Sequence, residues 1–365
     1  MTANTFEIVD LSSQKDLTSY LDICSKIKDD NPFIKFDLTI SNDFSTNKIK
    51  YFLLSVNNEP IIIMPIIIRN ISINKLPTKH KDVISPYGYS GPLISEKATE
   101  LEITIFWKEV DLWYNNNNII SEFIRFSLDN NTHGYNGVLK PTLDNVCGDI
   151  VEENLQWTRF DKKVRNNYRK AEVNQLKFEL FTNKIEPKIV NQFYDIYKNT
   201  MIRRSADIQL YFSLDYFENY TKSNPNHCAI AMVYKNEVPI STEFLLLSNN
   251  KIYSYLGGTN SEYFNCRPND FLKVNIINWA RIKNFKQYIL GGGRINNDNL
   301  YTYKKSFFPK EKDIIFFTGR KILNQNTYDD LSIESQNTFG INNIINSDIT
   351  EFFPAYRNPN NSITI

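Results

Sequence analysis

Two stretches of the chain place β-rich apolar runs on either side of a short polar turn. Residues 49–70 read IKYFLLSVNNEPIIIMPIIIRN, with the turn at 57–60, and residues 229–248 read AIAMVYKNEVPISTEFLLLS, with the turn at 235–239. This pattern predicts two β-hairpins. The longest apolar run, IIIMPIIIRN, is far shorter than the ~20 residues that span a bilayer and contains Pro65. It therefore predicts a buried strand, and no integral membrane segment is expected.

Each hairpin stands in the same succession of predicted elements. An amphipathic helix precedes it, at about 14–28 in the first half and about 186–201 in the second. A loop, a helix and a strand follow, at 97–114 and 122–128 in the first half and at 269–283 and 286–290 in the second. The apolar positions assigned to the two later helices are Leu101, Ile105, Leu112 and Trp113, and Leu272, Ile276, Trp279 and Ala280. The order recurs after about 180 residues, and a period of that length indicates a duplicated domain.

The predicted fold class is therefore α/β (α+β), with two similar tandem domains, each a mixed sheet flanked by helices. The boundary is expected in the polar stretch NVCGDIVEENLQ, which gives domains 1–155 and 156–325. From about 325 the chain becomes rich in Asn and Ser, so residues 326–365 are predicted to be a tail that packs on the body.

A basic segment follows the predicted boundary. Six Lys and Arg residues fall between 159 and 170, and residues 161–175 are predicted to be helical, with Val164, Tyr168 and Ala171 facing inward. Arg165 and Arg169 are expected to face an anionic ligand or solvent. This segment differs from the chain as a whole, in which 42 basic and 41 acidic residues give a net charge of +1. Any polyanion site must therefore be a local patch.

Several kinds of chemistry lack their sequence signals. The four cysteines, at 24, 147, 228 and 266, show no CxxC spacing and are expected to be reduced thiols, and the three histidines are widely separated. The sequence has no GxSxG elbow, no Walker loop and no dinucleotide fingerprint. The first residues lack the features of a signal peptide, so a cytoplasmic location is expected. What remains are cations, tyrosine hydroxyls and Gly-rich turns, which suit phosphate binding and oxyanion stabilisation.

Three segments carry a resemblance to a known family. They are ISPYGYSGPL (84–93), FDKKVRNNYRKAE (160–172), and LGGGRINNDNLYTYKKSFFP (290–309), which is followed by FFTGRKILN (316–324). Together they resemble the Fem-type and related GNAT-like transferases, the peptidoglycan interpeptide-bridge aminoacyltransferases and their relatives. The resemblance implies two GNAT-like domains and an acyl- or aminoacyltransferase.

The resemblance also implies roles for particular residues. The motif LYTYK (300–304) matches the family motif in which a lysine stabilises charge during acyl transfer, so Lys304 and Tyr303 are the catalytic candidates. Lys305 is expected to point away from Lys304, on the premise that this segment is extended. In the second half, Arg203, with Arg204 beside it, matches an arginine that contacts substrate phosphate. The complete set of substrate-binding candidates is Arg203, Arg204, Tyr301, Gly292, Gly293, Arg165, Arg169, Tyr87 and Tyr89.

The expected reaction is amide formation on an amino group of a nucleotide- or lipid-linked cell-envelope precursor, of peptidoglycan or surface-glycan type. Acyl-CoA or aminoacyl-tRNA is the expected co-substrate, and no permanently bound cofactor or metal is expected. The segment Cys266–Phe271 lacks the glycines of the GNAT pyrophosphate loop, and no coiled-coil arm is visible. Two alternatives stay open: an N-acyltransferase that uses acyl-CoA on an amino sugar of a surface polysaccharide, and a non-catalytic protein that binds a glycan or peptide precursor.

Overall fold

The computed structural model describes residues 4–27, 31–34, 48–129, 131–207, 210–337 and 352–358. The chain forms two compact units. The first comprises Met1–Thr142 with Phe316–Ile365, and the second comprises Leu143–Ile315. The domain ranges 1–155 and 156–325 with a tail 326–365 divide the chain at other points, and they stay a prediction.

The first unit contains a mixed sheet with the strand order β1-β2-β3-β4-β6-β13, and a short β5 pairs with β3. Only β4 and β6 run parallel; the other neighbours are antiparallel. The strands are β1 Asn4–Asp10, β2 Lys48–Val56, β3 Glu59–Ile73, β4 Leu76–Ile84, β5 Leu93–Ile94, β6 Ile119–Arg125 and β13 Ile314–Ile322. The helices are α1 Gln14–Ile27, α2 Glu100–Asn116 and α9 Gln325–Asn337, with 3-10 turns at Pro32–Ile34 and Ala355–Arg357.

The second unit contains a sheet with the order β7-β12-β11-β10-β9-β8, in which only β11 and β12 run parallel. The strands are β7 Val138–Asp149, β8 Lys177–Thr182, β9 Cys228–Lys235, β10 Val238–Leu247, β11 Lys251–Thr259 and β12 Gln287–Gly291. The helices are α3 Glu153–Arg159, α4 Lys162–Val173, α5 Pro187–Arg203, α6 Leu214–Ser223, α7 Pro268–Ile282 and α8 Asn299–Lys305, with a 3-10 helix at Ser261–Cys266.

The two sheets share one topology. Each has four antiparallel strands in succession, then one parallel neighbour, then an antiparallel last strand. Each parallel neighbour follows a helix, α2 or α7, which supplies the crossover that parallel strands require. The last strand of the first-unit sheet, β13, comes late in the chain, after β12, whereas the last strand of the second-unit sheet, β7, directly precedes β8. The predicted α/β class, with mixed sheets flanked by helices, is confirmed.

Both predicted hairpins form. Asn57 and Asn58 connect β2 to β3 with φ of 50° and 66°, and Asn236 and Glu237 connect β9 to β10 with φ of 49° and 62°. Two consecutive left-handed residues give the tight turn whose twist matches that of the flanking strands. The first hairpin contributes a fully buried row at Ile62, Ile63 and Met64.

The buried face of α2 differs from the predicted one. Leu101 and Leu112, two of the four apolar positions assigned to this helix, are 68% and 46% exposed. The buried side chains are instead Ile103, Phe106, Trp107, Val110 and Tyr114. The helix is apolar on more than one stripe, and packing against the sheet selects between them. In α7 the predicted Leu272, Ile276 and Ala280 are buried.

The described part of the C-terminal segment packs within the first unit, to which it belongs. Its apolar side chains share a cluster with strands β3 and β6, comprising Ile71, Ile73, Ile120, Tyr328, Leu331, Phe353 and Tyr356. The remainder of the predicted tail, 338–351 and 359–365, lies outside the described residues. All four cysteines are buried thiols that take part in no disulfide bond. Within the described ranges, no helix is both long and apolar enough to cross a membrane.

Candidate active site

A cavity of about 380 Å³ opens in the second unit at the carboxyl end of β11. Strands β11 and β12 pair only from Lys251 to Tyr253, opposite Gln287–Ile289, whereas β11 continues to Thr259. The carboxyl ends of parallel strands are the usual place for a ligand in open α/β sheets. The side chains and backbone that line this second-unit cavity are those of Thr200, Arg203, Arg204, Thr242, Glu243, Ser254, Gly257, Gly258, Thr259, Phe264, Asn269, Leu272, Lys273, Leu300, Tyr303 and Lys304.

Gly258 allows helix α5 to lie directly on β11 beside the cavity. A Cβ atom on Gly258 would come within 2.5 Å of the Thr200 Oγ1 atom and 2.7 Å of the Ile196 carbonyl oxygen. The Thr200 hydroxyl also accepts a hydrogen bond from the Thr259 backbone N–H at 3.0 Å. This contact fixes the end of α5, where the two candidate arginines lie.

Lys304 occupies the cavity wall on α8, whose N-terminus is capped by the Asp298 side chain. The Lys304 Nζ atom donates a hydrogen bond to the Gly292 carbonyl oxygen at 2.6 Å. Burial, and secondly the positive charge of Lys273, lowers the pKa of Lys304 from 10.5 to about 8. The lysine and one glycine of the triple-glycine motif, both singled out from the sequence, are therefore in contact.

Lys305 is directed to a different place. Its ammonium forms an ion pair with Asp313 at 2.6 Å and donates to the Glu311 carbonyl oxygen at 2.5 Å. The expectation that this segment is extended is wrong, because Asn299–Lys305 is helical. Successive residues on a helix differ in direction by about 100°, and this rotation separates the two lysines.

Tyr303 also lines the second-unit cavity. Its hydroxyl is buried and has no hydrogen-bond partner among the described residues. Burial, and secondly the negative charges of Asp270 and Glu243, raises the pKa of Tyr303 well above 10, so the phenol stays protonated. A buried hydroxyl without a partner is costly, and a bound ligand would satisfy it. Tyr301 instead donates to Asp313 at 2.5 Å and lies outside this cavity.

A buried ion pair that the sequence analysis missed forms the floor of the cavity. The Lys273 ammonium lies 2.6 Å from the Glu243 carboxylate and also contacts the hydroxyls of Ser254 and Tyr288, at 3.0 and 3.1 Å. The Tyr288 hydroxyl donates to Glu243 at 2.6 Å. Burial lowers the pKa of Lys273, against the opposing effect of Glu243. The sequence did contain a signal for this pair, because Glu243 and Lys273 are each a charged residue inside an apolar segment, STEFLLL and FLKVNII.

Arg203 and Arg204 lie at the rim of the cavity at the end of α5, and both are exposed. The Arg203 guanidinium donates to the Thr259 carbonyl oxygen at 3.3 Å and stacks over the Phe264 ring at 5.0 Å. Two exposed guanidinium groups beside a cavity suit a phosphate-bearing ligand. Their binding of substrate stays a prediction.

The remaining candidates lie elsewhere. Arg165 donates to the carbonyl oxygens at the end of α3, including those of Thr158 at 3.1 Å and Phe160 at 2.5 Å, and Arg169 stacks on Trp157 at 5.6 Å. Gly293 lies against the Asp298 side chain.

Tyr87 and Tyr89 belong to the first unit, in the loop after β4. The ring of Tyr89 packs against Phe33 and Phe316 at 5.1 and 5.3 Å. Of the candidates chosen from the sequence, the fold therefore places two groups at the second-unit cavity. One group is Lys304, Tyr303 and Gly292, and the other is Arg203 with Arg204.

The N-terminus of α7 is poorly suited to a pyrophosphate group. Pro268 is its first residue and has no N–H, and the side-chain oxygen of Asn269 accepts hydrogen bonds from Ser241, at 2.9 Å, and Thr259. Asp270, in the first turn, is buried, and burial raises its pKa to about 6. At pH 7 its carboxyl is mostly ionised and would repel an anion. Among the described residues, no group of side chains could hold a metal ion.

Comparison with known proteins defines the class of this domain. Residues 158–305 match the family model of the acetyltransferase (GNAT) domain. This part of the chain, which contains the cavity and Lys304, is therefore a GNAT-type transferase domain, and the predictions of a GNAT-like family and of a transferase are confirmed. No curated protein matches the sequence.

Solved structures with the same fold extend over most of the chain. FemX is 12% identical with a TM-score of 0.66, over 90% of this chain and 100% of its own. L-PGS from Bacillus licheniformis is 12% identical with a TM-score of 0.56, over 86% of this chain and 94% of its own. The C-terminal domain of a putative lysylphosphatidylglycerol synthetase from Agrobacterium fabrum is 10% identical with a TM-score of 0.54, over 87% of this chain and 96% of its own. At these identities the likeness shows the fold alone.

Proposed function

We propose that the protein transfers an aminoacyl or acyl group to an amine of a phosphate-bearing cell-envelope precursor, with Lys304 stabilising the tetrahedral oxyanion. The observation that carries this proposal is that the Lys304 ammonium and the Tyr303 hydroxyl line one cavity of a GNAT-type domain, and that this hydroxyl has no hydrogen-bond partner in the part of the chain that the structure describes. Both groups are donors, and two fixed donors suit an oxygen that gains negative charge during the reaction. The resemblance to Fem-type enzymes supports the acceptor class, as does the structural neighbour named as the C-terminal domain of a putative lysylphosphatidylglycerol synthetase.

Formation of the amide bond depends more on the orientation of the acceptor amine than on a strong general base. The acceptor nitrogen forms the C–N bond, the bond from the acyl carbon to the leaving oxygen breaks, and the proton lost by the amine ends on that leaving oxygen. An α-amine has a pKa of about 8, so a fraction of it is already neutral at physiological pH. Lys304 remains partly charged in the same range, because its own pKa is about 8. The Glu243–Lys273 pair holds the cavity floor in place beneath these groups.

An aminoacyl ester is the proposed donor. The N-terminus of α7, where GNAT enzymes bind the pyrophosphate of CoA, carries Pro268, an occupied Asn269 and the acidic Asp270. Fewer N–H donors and a negative charge both weaken pyrophosphate binding. An aminoacyl-tRNA donor does not need this helix end. A second candidate function is the transfer of an acyl group from acyl-CoA to an amino sugar. The match of residues 158–305 to an acetyltransferase model favours acyl-CoA as the donor in that candidate.

A donor competition tests the proposal. The full chain is incubated with a nucleotide-linked muramoyl peptide and either labelled aminoacyl-tRNAs or labelled acetyl-CoA, and mass spectrometry detects new amides. Transfer from aminoacyl-tRNA that is lost in Lys304→Met and kept in Lys305→Met is the expected result. Transfer only from acetyl-CoA, onto this acceptor or an amino sugar, supports the second candidate. If the folded wild-type protein transfers a group from neither donor, both candidate functions are contradicted. The alternative that then remains is a non-catalytic protein that binds a glycan or peptide precursor.

A further inference from the structure

Arginines gather on one face of the first-unit sheet. Arg69 pairs with Asp82 across β3 and β4, and Arg320 pairs with Phe123 across β13 and β6. Arg125 follows Phe123 by two residues and so points to the same side. The other side of this sheet packs on α2, through Val83, Ile124 and Trp107.

The buried carboxylate on this face is already shared. Asp82 has no exposed surface, and it accepts hydrogen bonds from Arg69 at 2.9 Å and from Arg357 of the C-terminal segment at 2.5 Å. The Tyr356 hydroxyl donates to the same carboxylate at 3.1 Å. The single negative charge of Asp82 is therefore already shared by the guanidinium groups of Arg69 and Arg357, and it does not compensate the charge of Arg125 as well.

Arg125 has no carboxylate of its own within ion-pair distance among the described residues. Among the described residues, the Arg125 guanidinium donates one hydrogen bond, to the Ser85 carbonyl oxygen, and this bond is 3.5 Å long. The guanidinium stacks over the rings of Phe123 at 4.9 Å and Tyr87 at 5.7 Å. Burial, together with the positive charge of Arg69, lowers the pKa of Arg125 to about 10. A guanidinium has five N–H donors, and the described residues leave most of these unused.

Because the two sheets share one topology, the position of Arg125 in the first unit can be compared with the equivalent position in the second unit. Arg125 is the last residue of β6, the counterpart of β12, whose parallel neighbour β11 borders the second-unit cavity. In the first unit the loop after β4 bridges the corresponding gap. The Ser85 N–H donates to the Phe123 carbonyl oxygen at 3.0 Å, the Arg125 N–H donates to the Ser85 hydroxyl at 2.9 Å, and Ser90 pairs with Phe126. At the position in the first unit that corresponds to the second-unit cavity, the structure therefore has the guanidinium of Arg125.

We propose that Arg125, with the Tyr87 ring and the neighbouring Arg69 charge, forms a binding site for a phosphate or carboxylate group on the first unit. Stacking on aromatic rings holds a planar guanidinium and leaves its edge available for two parallel hydrogen bonds to such a group. A bound anion offsets a positive charge that the fold leaves uncompensated. This inference is independent of acyl transfer at Lys304, because it is measured as binding without turnover.

The test measures thermal unfolding of the full chain at pH 7 and constant ionic strength, with inorganic pyrophosphate or with succinate. Arg125→Met removes the guanidinium, and Lys108→Gln removes one exposed charge from α2 on the other side of the sheet. We expect an anion to raise the Tm of wild type and of Lys108→Gln by the same amount, and that of Arg125→Met by clearly less, since only the first-unit site is lost. Without anion, Arg125→Met is expected to be at least as stable as wild type, because it removes an uncompensated charge.

Isothermal titration distinguishes the two ligand chemistries. Binding of pyrophosphate alone identifies a phosphate site, binding of succinate alone identifies a carboxylate site, and in either case Arg125→Met weakens binding at least about ten-fold. Arg125→Lys keeps the charge without the planar fork, and it is expected to fold and to bind several-fold more weakly. The proposal is overturned if neither anion binds wild type, if Arg125→Met and Lys108→Gln bind equally, or if Arg125→Lys binds like wild type.

Discussion

Replacing Lys304 with Met is expected to make the protein more stable at neutral pH and inactive. Moving the pKa of Lys304 from 10.5 to about 8 corresponds to about 3 kcal/mol against its charged form. The hydrogen bond from Lys304 to the Gly292 carbonyl oxygen offsets about 1 kcal/mol of this. Lys304→Met should therefore raise the free energy of unfolding at pH 7 by about 2 kcal/mol.

The effect depends on pH in a defined direction. Below pH 8, Lys304 is charged in both the folded and the unfolded chain, so the whole cost is present. Between pH 8 and 10.5 the unfolded chain keeps the proton that the folded chain has lost, so wild-type stability rises with pH relative to the variant. Above pH 10.5 the cost is absent, and the variant is expected to be less stable by the lost hydrogen bond.

Urea unfolding followed by tryptophan fluorescence at pH 7 and pH 10.5 measures both values. Lys305→Met is the matched control, because Lys305 forms an ion pair with Asp313 and its removal should not stabilise the chain. If Lys304→Met lowers stability equally at both pH values, Lys304 is not a cation held at a cost, and the reasoning about its role fails.

Three further predictions concern the same cavity. Lys304→Met should lower turnover by about 10² or more, as for the loss of one oxyanion donor, and Lys305→Met should change it little; similar rates for both variants in the amide-forming assay would exclude this role for Lys304. Lys273→Met should destabilise the chain by about 3–5 kcal/mol by leaving Glu243 buried and unpaired, and adding Glu243→Gln should restore most of this in denaturant titrations; no recovery would argue against the ion pair as the cause. Gly258→Ala should lower the Tm, because its Cβ would meet α5 at 2.5 Å, and an unchanged Tm would show that the helix moves freely.

The candidate site was partly visible in the sequence. Lys304 and Gly292 were found because each lies in a local motif, and the fold brings the ammonium to the carbonyl oxygen. Glu243 and Lys273 were missed because they are 30 residues apart, and each by itself is a charge within an apolar segment. Arg165 was expected to face an anionic ligand or solvent, and its guanidinium donates to carbonyl oxygens at the end of α3, a local partner that charge alone does not reveal.

The sequence by itself determined the elements whose signals are local. Apolar runs on either side of short polar turns specify the two hairpins, whose central residues Asn57, Asn58, Asn236 and Glu237 are left-handed. The apolar stripe of Leu272, Ile276 and Ala280 specifies part of the buried surface of α7. Tertiary structure decided what depends on distant partners. The sheet selected the face of α2 that buries Trp107 rather than Leu112, and α5 packing on Gly258 shaped the cavity wall. Burial in that cavity changed an ordinary lysine into one with a pKa of about 8. Such burial is set by the summed contacts of several elements, and no local stretch of sequence contains that information.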